Sequence, residues 1–141
     1  MADAKTTDSR ADRLAQAEAA INALKGEYAQ QLQADVAQLA DVFASVDRTN
    51  PAPAALEELF GISHNLKGQA GSFGYDLVTS IAASLCDLVR GAMGATSARD
   101  LKAVEQHVVV LGRVVEKGIV GTGGDTGEKI VQSLRRLHAR T

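Results

Sequence analysis

Hydrophobic residues recur every three or four positions over residues 14–46, and Gly26 is the one interruption in that pattern. This spacing predicts an amphipathic helix. One unbroken helix would be about 50 Å long, whereas the later segments predict helices of about 30 Å. Because glycine costs a helix about 1 kcal/mol relative to alanine, we expect the chain to bend near Gly26 and fold back. The alternative is a projecting helix that finds a partner for its apolar face.

Four more segments have the apolar periodicity of helices. Asn50 and Pro51 are typical of a helix start, because asparagine caps the first turn and proline needs no backbone donor there. Ser97 and Asp100 have the spacing of a capping box in front of another helix. The predicted segments are residues 51–72, 77–89, 101–115 and 130–137.

The connections between these segments are short, which predicts that neighbouring helices are antiparallel. We therefore expect an all-α fold, an antiparallel up-down four-helix bundle with an additional N-terminal helix and a short C-terminal helix. Residues 1–12 are polar and mixed in charge, so we predict a flexible N-terminus there. The length of 141 residues fits one domain, which we assign to residues 13–141.

Composition and charge exclude several classes of protein. The 15 basic and 17 acidic residues give a net charge of −2, which disfavours nucleic-acid binding. The sequence has no apolar run long enough for a transmembrane helix and no secretion signal, so we expect a cytoplasmic protein without a membrane partner. Cys86 is the only cysteine and stands among apolar residues, which predicts a buried side chain rather than a disulfide or metal ligand.

The segment 51–72 places one histidine opposite its apolar stripe. On a helical wheel, Leu59 and Leu66 belong to the core side, and His64 lies about 180° away, toward solvent. Lys67 and Gly68 follow His64 by three and four positions, so both are its neighbours on the helix surface.

The polar face around this histidine contains glycines where a helix normally carries better helix formers. Gly61, Gly68 and Gly71 lie on it, and each costs roughly 0.5–1 kcal/mol relative to alanine. A helix surface without side chains beside an exposed imidazole indicates that a large partner molecule approaches the ring. Phe60 adds an apolar spot that a docking partner could cover.

An imidazole in this setting can carry a phosphoryl group. Its neutral nitrogen is nucleophilic near neutral pH, and the phosphorus–nitrogen bond is labile enough to pass the group on. Phosphoryl transfer depends mainly on positioning and charge neutralisation, so the acceptor needs little machinery and no cofactor of its own. Lys67 would offer a cation to the phosphoryl oxygens.

Residues 63–88 resemble the histidine-containing phosphotransfer (HPt) domain, with His64, Lys67, Gly68 and Gly74 in the spacing of its motif before an apolar helix. The resemblance implies a cytoplasmic four-helix bundle that relays phosphate between receiver-domain aspartates in a two-component phosphorelay. Its partners would be receiver domains and a sensor histidine kinase. It further implies a phosphocarrier rather than an enzyme, with His64 as phosphoacceptor and no metal ion on this chain.

Two other functions remain open at this stage. The chain could be a non-phosphorylated helical adaptor that binds or dimerises through Phe60 and its N-terminal region, or the phosphoacceptor module of a histidine kinase. With a bend at Gly26 the apolar stripe would be buried within one chain, so we expect a monomer.

We interpret His107 and His138 as structural or surface residues. Residues 118–129 are rich in glycine but lack a phosphate-loop ending, which favours a flexible connection.

Overall fold

The computed structural model describes residues 2–138, with side chains from residue 9 onward. Its described part is all-α, as the sequence predicts. The segment 1–12, for which a flexible terminus is predicted, is helical from Ala2 onward, and Met1 lies outside the described residues. The helices are α1 (Ala2–Ala44), α2 (Pro53–Ala70), α3 (Asp76–Ala92), α4 (Ala98–Glu116) and α5 (Gly124–Arg136), with a 3₁₀ turn at Gly71–Phe73.

The chain divides into two units, residues 1–31 and residues 32–141. The first unit is the N-terminal part of α1, and α1 continues through Gly26 without a break. The predicted bend is therefore wrong, and the additional N-terminal helix is the first part of α1 rather than a separate element. The neighbours of Gly26 are mostly alanine, leucine, lysine, glutamate and glutamine, whose strong helix propensity offsets the cost of one glycine.

The second unit is a helical bundle whose central helix is α3. Helix α3 contacts α2, α4 and α5, and its buried side chains cover more of its circumference than a single stripe would. The C-terminal part of α1 contributes to the same core. Its buried side chains are Leu32, Val36, Leu39 and Phe43.

The helix ends follow from local chemistry. Helix α2 begins at Pro53, two residues later than predicted, because Ala52 precedes a proline and adopts an extended conformation at φ −69° and ψ 132°. The predicted capping box of α4 is confirmed. The Asp100 amide donates to Ser97 Oγ at 3.1 Å, and the Ser97 amide donates to the Asp100 carboxylate at 3.1 Å. Such a cap stabilises a helix by about 1 kcal/mol.

The connection after α2 is tied to the glycine-rich segment before α5. Gly74 has a φ of +86°, a left-handed conformation that lets the chain turn sharply into α3. The Gly121 amide donates to the Gly74 carbonyl at 2.6 Å, and the Leu77 amide donates to the Gly121 carbonyl at 2.8 Å.

Helix α5 begins at Gly124, so the flexible connection predicted for residues 118–129 is wrong for its second half. None of the described helices is long and apolar enough to cross a bilayer.

Candidate functional site

Helix α2 turns one face to the core and presents His64 on the other. Its buried side chains recur at helical spacing, and His64 itself is exposed, as the wheel predicts. The preceding residue, Ser63, is fully buried, and its hydroxyl donates to the Leu59 carbonyl one turn back. This bond satisfies the one polar side chain on the core side, so the helix can pack closely while His64 stays accessible.

An aromatic ring supports the imidazole. The Phe60 ring stacks on His64 with 5.8 Å between ring centroids and 17° between ring planes. The guanidinium carbon of Arg90, in the last turn of α3, lies 5.2 Å from the centroid of the same phenyl ring. A cation over an aromatic face is attracted by the ring's quadrupole. Phe60 therefore links Arg90 to His64, and its contact with Arg90 is one that the sequence analysis does not predict.

Two basic side chains, Lys67 and Arg90, lie close enough to Cys86 for their charges to act on its thiol. Burial raises the pKa of the Cys86 thiol, and the charges of Arg90 and Lys67 act against that rise. Cys86 is fully buried, as predicted. Lys67 of α2 and Arg90 of α3 bring positive charge to this side of the bundle, and Asp87 brings a negative charge that acts in the opposite direction.

The three glycines of α2 and its 3₁₀ turn differ in their surroundings. A Cβ atom built on Gly61 or Gly68 would meet nothing within 4 Å, so the space above both is open to solvent. A Cβ on Gly71 would lie 3.2 Å from Thr79 Oγ1 on α3. Gly71 thus allows the turn to approach α3 closely, a packing role that the helical wheel does not show.

Comparison with known proteins identifies the family. The family model of the Hpt domain matches residues 7–115, a stretch that includes α2, α3 and the whole candidate site. The chain belongs to the Hpt domain family. Hpt domains serve phosphotransfer in two-component signalling, as phosphocarriers that interact with receiver domains and kinases. No curated protein and no solved structure matches the chain.

The other two histidines of this Hpt protein, the buried His107 and the half-buried His138, are joined by hydrogen bonds through Ser84. His107 Nδ1 lies 2.7 Å from the Ala103 carbonyl, which can only accept, so Nδ1 carries the proton. His107 Nε2 then accepts from the Ser84 hydroxyl at 2.8 Å, and Ser84 Oγ accepts from His138 Nε2 at 2.8 Å. These hydrogen bonds join α3 and α4 to the segment after α5. His107 and His138 are therefore structural, as predicted.

The buried histidine predicts a loss of stability in mild acid. Burial lowers the pKa of His107 from 6.5 to about 4, and the nearby charges of His138 and Arg135 add to that shift. Between these two pKa values the unfolded chain binds a proton at this histidine and the folded chain does not. The free energy of unfolding therefore falls as the pH drops. We expect a loss of about 2 kcal/mol between about pH 7.5 and about pH 5, measured by urea unfolding. The control is His107→Gln, and an equally steep pH dependence in that variant would assign the loss to other groups.

Proposed function

We propose that this Hpt protein relays phosphoryl groups between receiver-domain aspartates through His64. The observation that carries the proposal is the contrast among its three histidines. His107 is buried, and His138 is half-buried and bonded to Ser84. His64 alone of the three is exposed at mid-helix, in a chain whose family performs phosphotransfer. It is therefore the histidine that a second protein can reach.

The proposed step is an in-line displacement at phosphorus. A nitrogen of the His64 imidazole attacks the phosphorus of a receiver's aspartyl phosphate. The bond to nitrogen forms while the bond to the aspartate oxygen breaks, which leaves a carboxylate on the receiver. The reverse step delivers the group to an aspartate on another receiver. The metal ion and acid chemistry would belong to the receiver, in the cytoplasm, where we expect the relay to act.

The neighbours of His64 supply orientation and charge in this proposal. The stacked Phe60 ring limits rotation of the imidazole, so its nitrogen meets the incoming phosphorus in a restricted range of directions. Lys67, exposed three residues on, would lie beside the phosphoryl oxygens and offset their negative charge. Arg90 keeps Phe60 in place and adds a second cation.

The docking surface for a receiver would be the exposed side of α2. Phe60 is half-buried and offers an apolar contact, while Gly61 and Gly68 leave open space on either side of His64. Gly71 is also exposed, but its contact with Thr79 gives it a second reason to be glycine. A partner surface can therefore come close to the backbone of α2 next to the imidazole.

Lys67→Ala is expected to slow transfer without abolishing it. An exposed charge pair is typically worth 0.2–1 kcal/mol, which corresponds to a roughly 1.4- to fivefold lower rate. The measurement is the single-turnover rate of transfer from a phosphorylated receiver. Lys102→Ala, an exposed lysine on α4, is the matched control and should transfer at the unmodified rate. A Lys67→Ala protein as inactive as one without His64 would show that Lys67 does more than neutralise charge.

A further inference from the structure

The N-terminal part of α1 carries a row of large aliphatic side chains in contact with solvent. Leu14 is 65% exposed, Ile21 is 52% exposed and Leu24 is 57% exposed. Ala17, between the first two, is exposed as well. Scattered apolar residues are ordinary on a protein surface, but a continuous row along one helix is typical of an interaction site.

The spacing of this row is that of a coiled coil. The steps from Leu14 to Ala17, Ile21 and Leu24 alternate between three and four residues, which makes a repeat of seven. Leu14 and Ile21 then occupy heptad position a, and Ala17 and Leu24 occupy position d. A period of 3.5 residues keeps such a seam facing a partner helix that winds around it.

We propose that this seam, residues 14–24 of α1, pairs with the same seam of a second copy in a parallel coiled coil. Isoleucine at position a with leucine at position d favours two parallel strands, and Ile21 and Leu24 provide that combination. The seam is exposed along an uninterrupted helix, so it needs no rearrangement before it pairs. The prediction of a monomer depended on a bend at Gly26, and that bend is absent.

The charges beside the seam also fit a parallel pair. Arg13 stands at heptad position g and Glu18 at the following position e. In a parallel dimer, g of one helix lies beside the next e of its partner, so each Arg13 meets the other copy's Glu18. An antiparallel pair would bring e beside e and place the two Glu18 carboxylates together. Lys25, at the next e position, faces Ala20 in the parallel arrangement and meets no like charge.

The proposed interface is short, so the dimer should be weak. The seam covers about 15 Å of helix, and the next residue in the repeat, Tyr28, is already buried. An interface of this size lies at the lower end of specific protein contacts, which is the range of reversible, concentration-dependent dimers. We expect dissociation in the micromolar range.

Sedimentation equilibrium of the full chain tests the pairing. Over about 5 to 500 μM, we expect the average mass to rise from that of a monomer toward that of a dimer. Ile21→Glu places a charge in the seam and should remain monomeric throughout. Ala23→Glu adds the same charge at an exposed position off the seam and should dimerise like the unmodified protein. A monomer at the highest concentration, or a dimer that survives Ile21→Glu, would overturn the proposal.

A cysteine cross-link tests the orientation. Ala17→Cys in a Cys86→Ala background puts one thiol at position d. In a parallel dimer the two copies of residue 17 face each other and should form a disulfide under mild oxidation. In an antiparallel dimer residue 17 would face Ile21, and no cross-link would form. A dimer by sedimentation that gives no disulfide would therefore rule out the parallel arrangement.

Discussion

His64→Gln is expected to abolish phosphorylation of this protein. Glutamine keeps a polar side chain of similar length but has no nucleophilic ring nitrogen, so no phosphorus–nitrogen bond can form. The site is exposed, and we expect the free energy of unfolding to change by no more than about 0.5 kcal/mol. The measurement is acid-labile, alkali-stable label after incubation with a phosphorylated receiver, together with urea unfolding.

His138→Gln is the matched control for this experiment. It removes a histidine outside the proposed site, and the label should remain. Label that persists in His64→Gln would disprove the assignment of the phosphoacceptor. Label that appears only with a kinase and ATP, and never from a receiver, would instead favour the phosphoacceptor module of a kinase. No label from any donor would favour a helical adaptor.

Gly68→Gln is expected to leave the fold intact and to obstruct transfer. Gly68 lies one turn after His64, and a Cβ there meets nothing within 4 Å, so a side chain would extend into solvent. Replacing a helical glycine by a better helix former should stabilise the protein by up to about 1 kcal/mol. The same side chain would occupy the space that a receiver needs. Because a misplacement of about 1 Å can cost on the order of a hundredfold in rate, we expect a loss of that size.

The measurement pairs thermal melting with the rate of transfer from a phosphorylated receiver. Gly112→Gln on α4 is the control, because a Cβ at this helical glycine also meets nothing within 4 Å. That variant should gain stability and keep its transfer rate. Gly68→Ala should also gain stability, with a smaller loss of rate than Gly68→Gln. A stable Gly68→Gln protein that transfers at the unmodified rate would show that the glycine does not serve access.

The local features of this protein could be predicted from the order of its residues. The 3.6-residue period of apolar positions predicts the helices, and Ser97 with Asp100 predicts the capping box of α4. The same period places His64 opposite Leu59 and Leu66, so its exposure follows from one helix alone. These features depend on residues a few positions apart, where backbone geometry sets which side chains are neighbours.

The continuity of α1 is a case in which local rules gave the wrong answer. The cost of Gly26 and the length of the periodic segment both favoured a bend, yet the helix runs from Ala2 to Ala44. The cost of a single glycine in a helix is about 1 kcal/mol. The summed helix propensity of its many neighbours is larger than this cost, so the helix continues. The exposed seam that carries the proposed dimer is a consequence of that outcome.

The contacts around the site required the packing of one helix on another. Arg90 reaches Phe60, and Thr79 lies against Gly71, because α2 and α3 are adjacent and in a particular rotation. The hydrogen bonds through Ser84 likewise join residues from three separate segments. Periodicity shows which face of each helix is apolar, but many rotations and offsets bury the same faces. The interlocking of side chains selects one of them, and it is this selection that brings Arg90 of α3 to the Phe60 ring that stacks on His64.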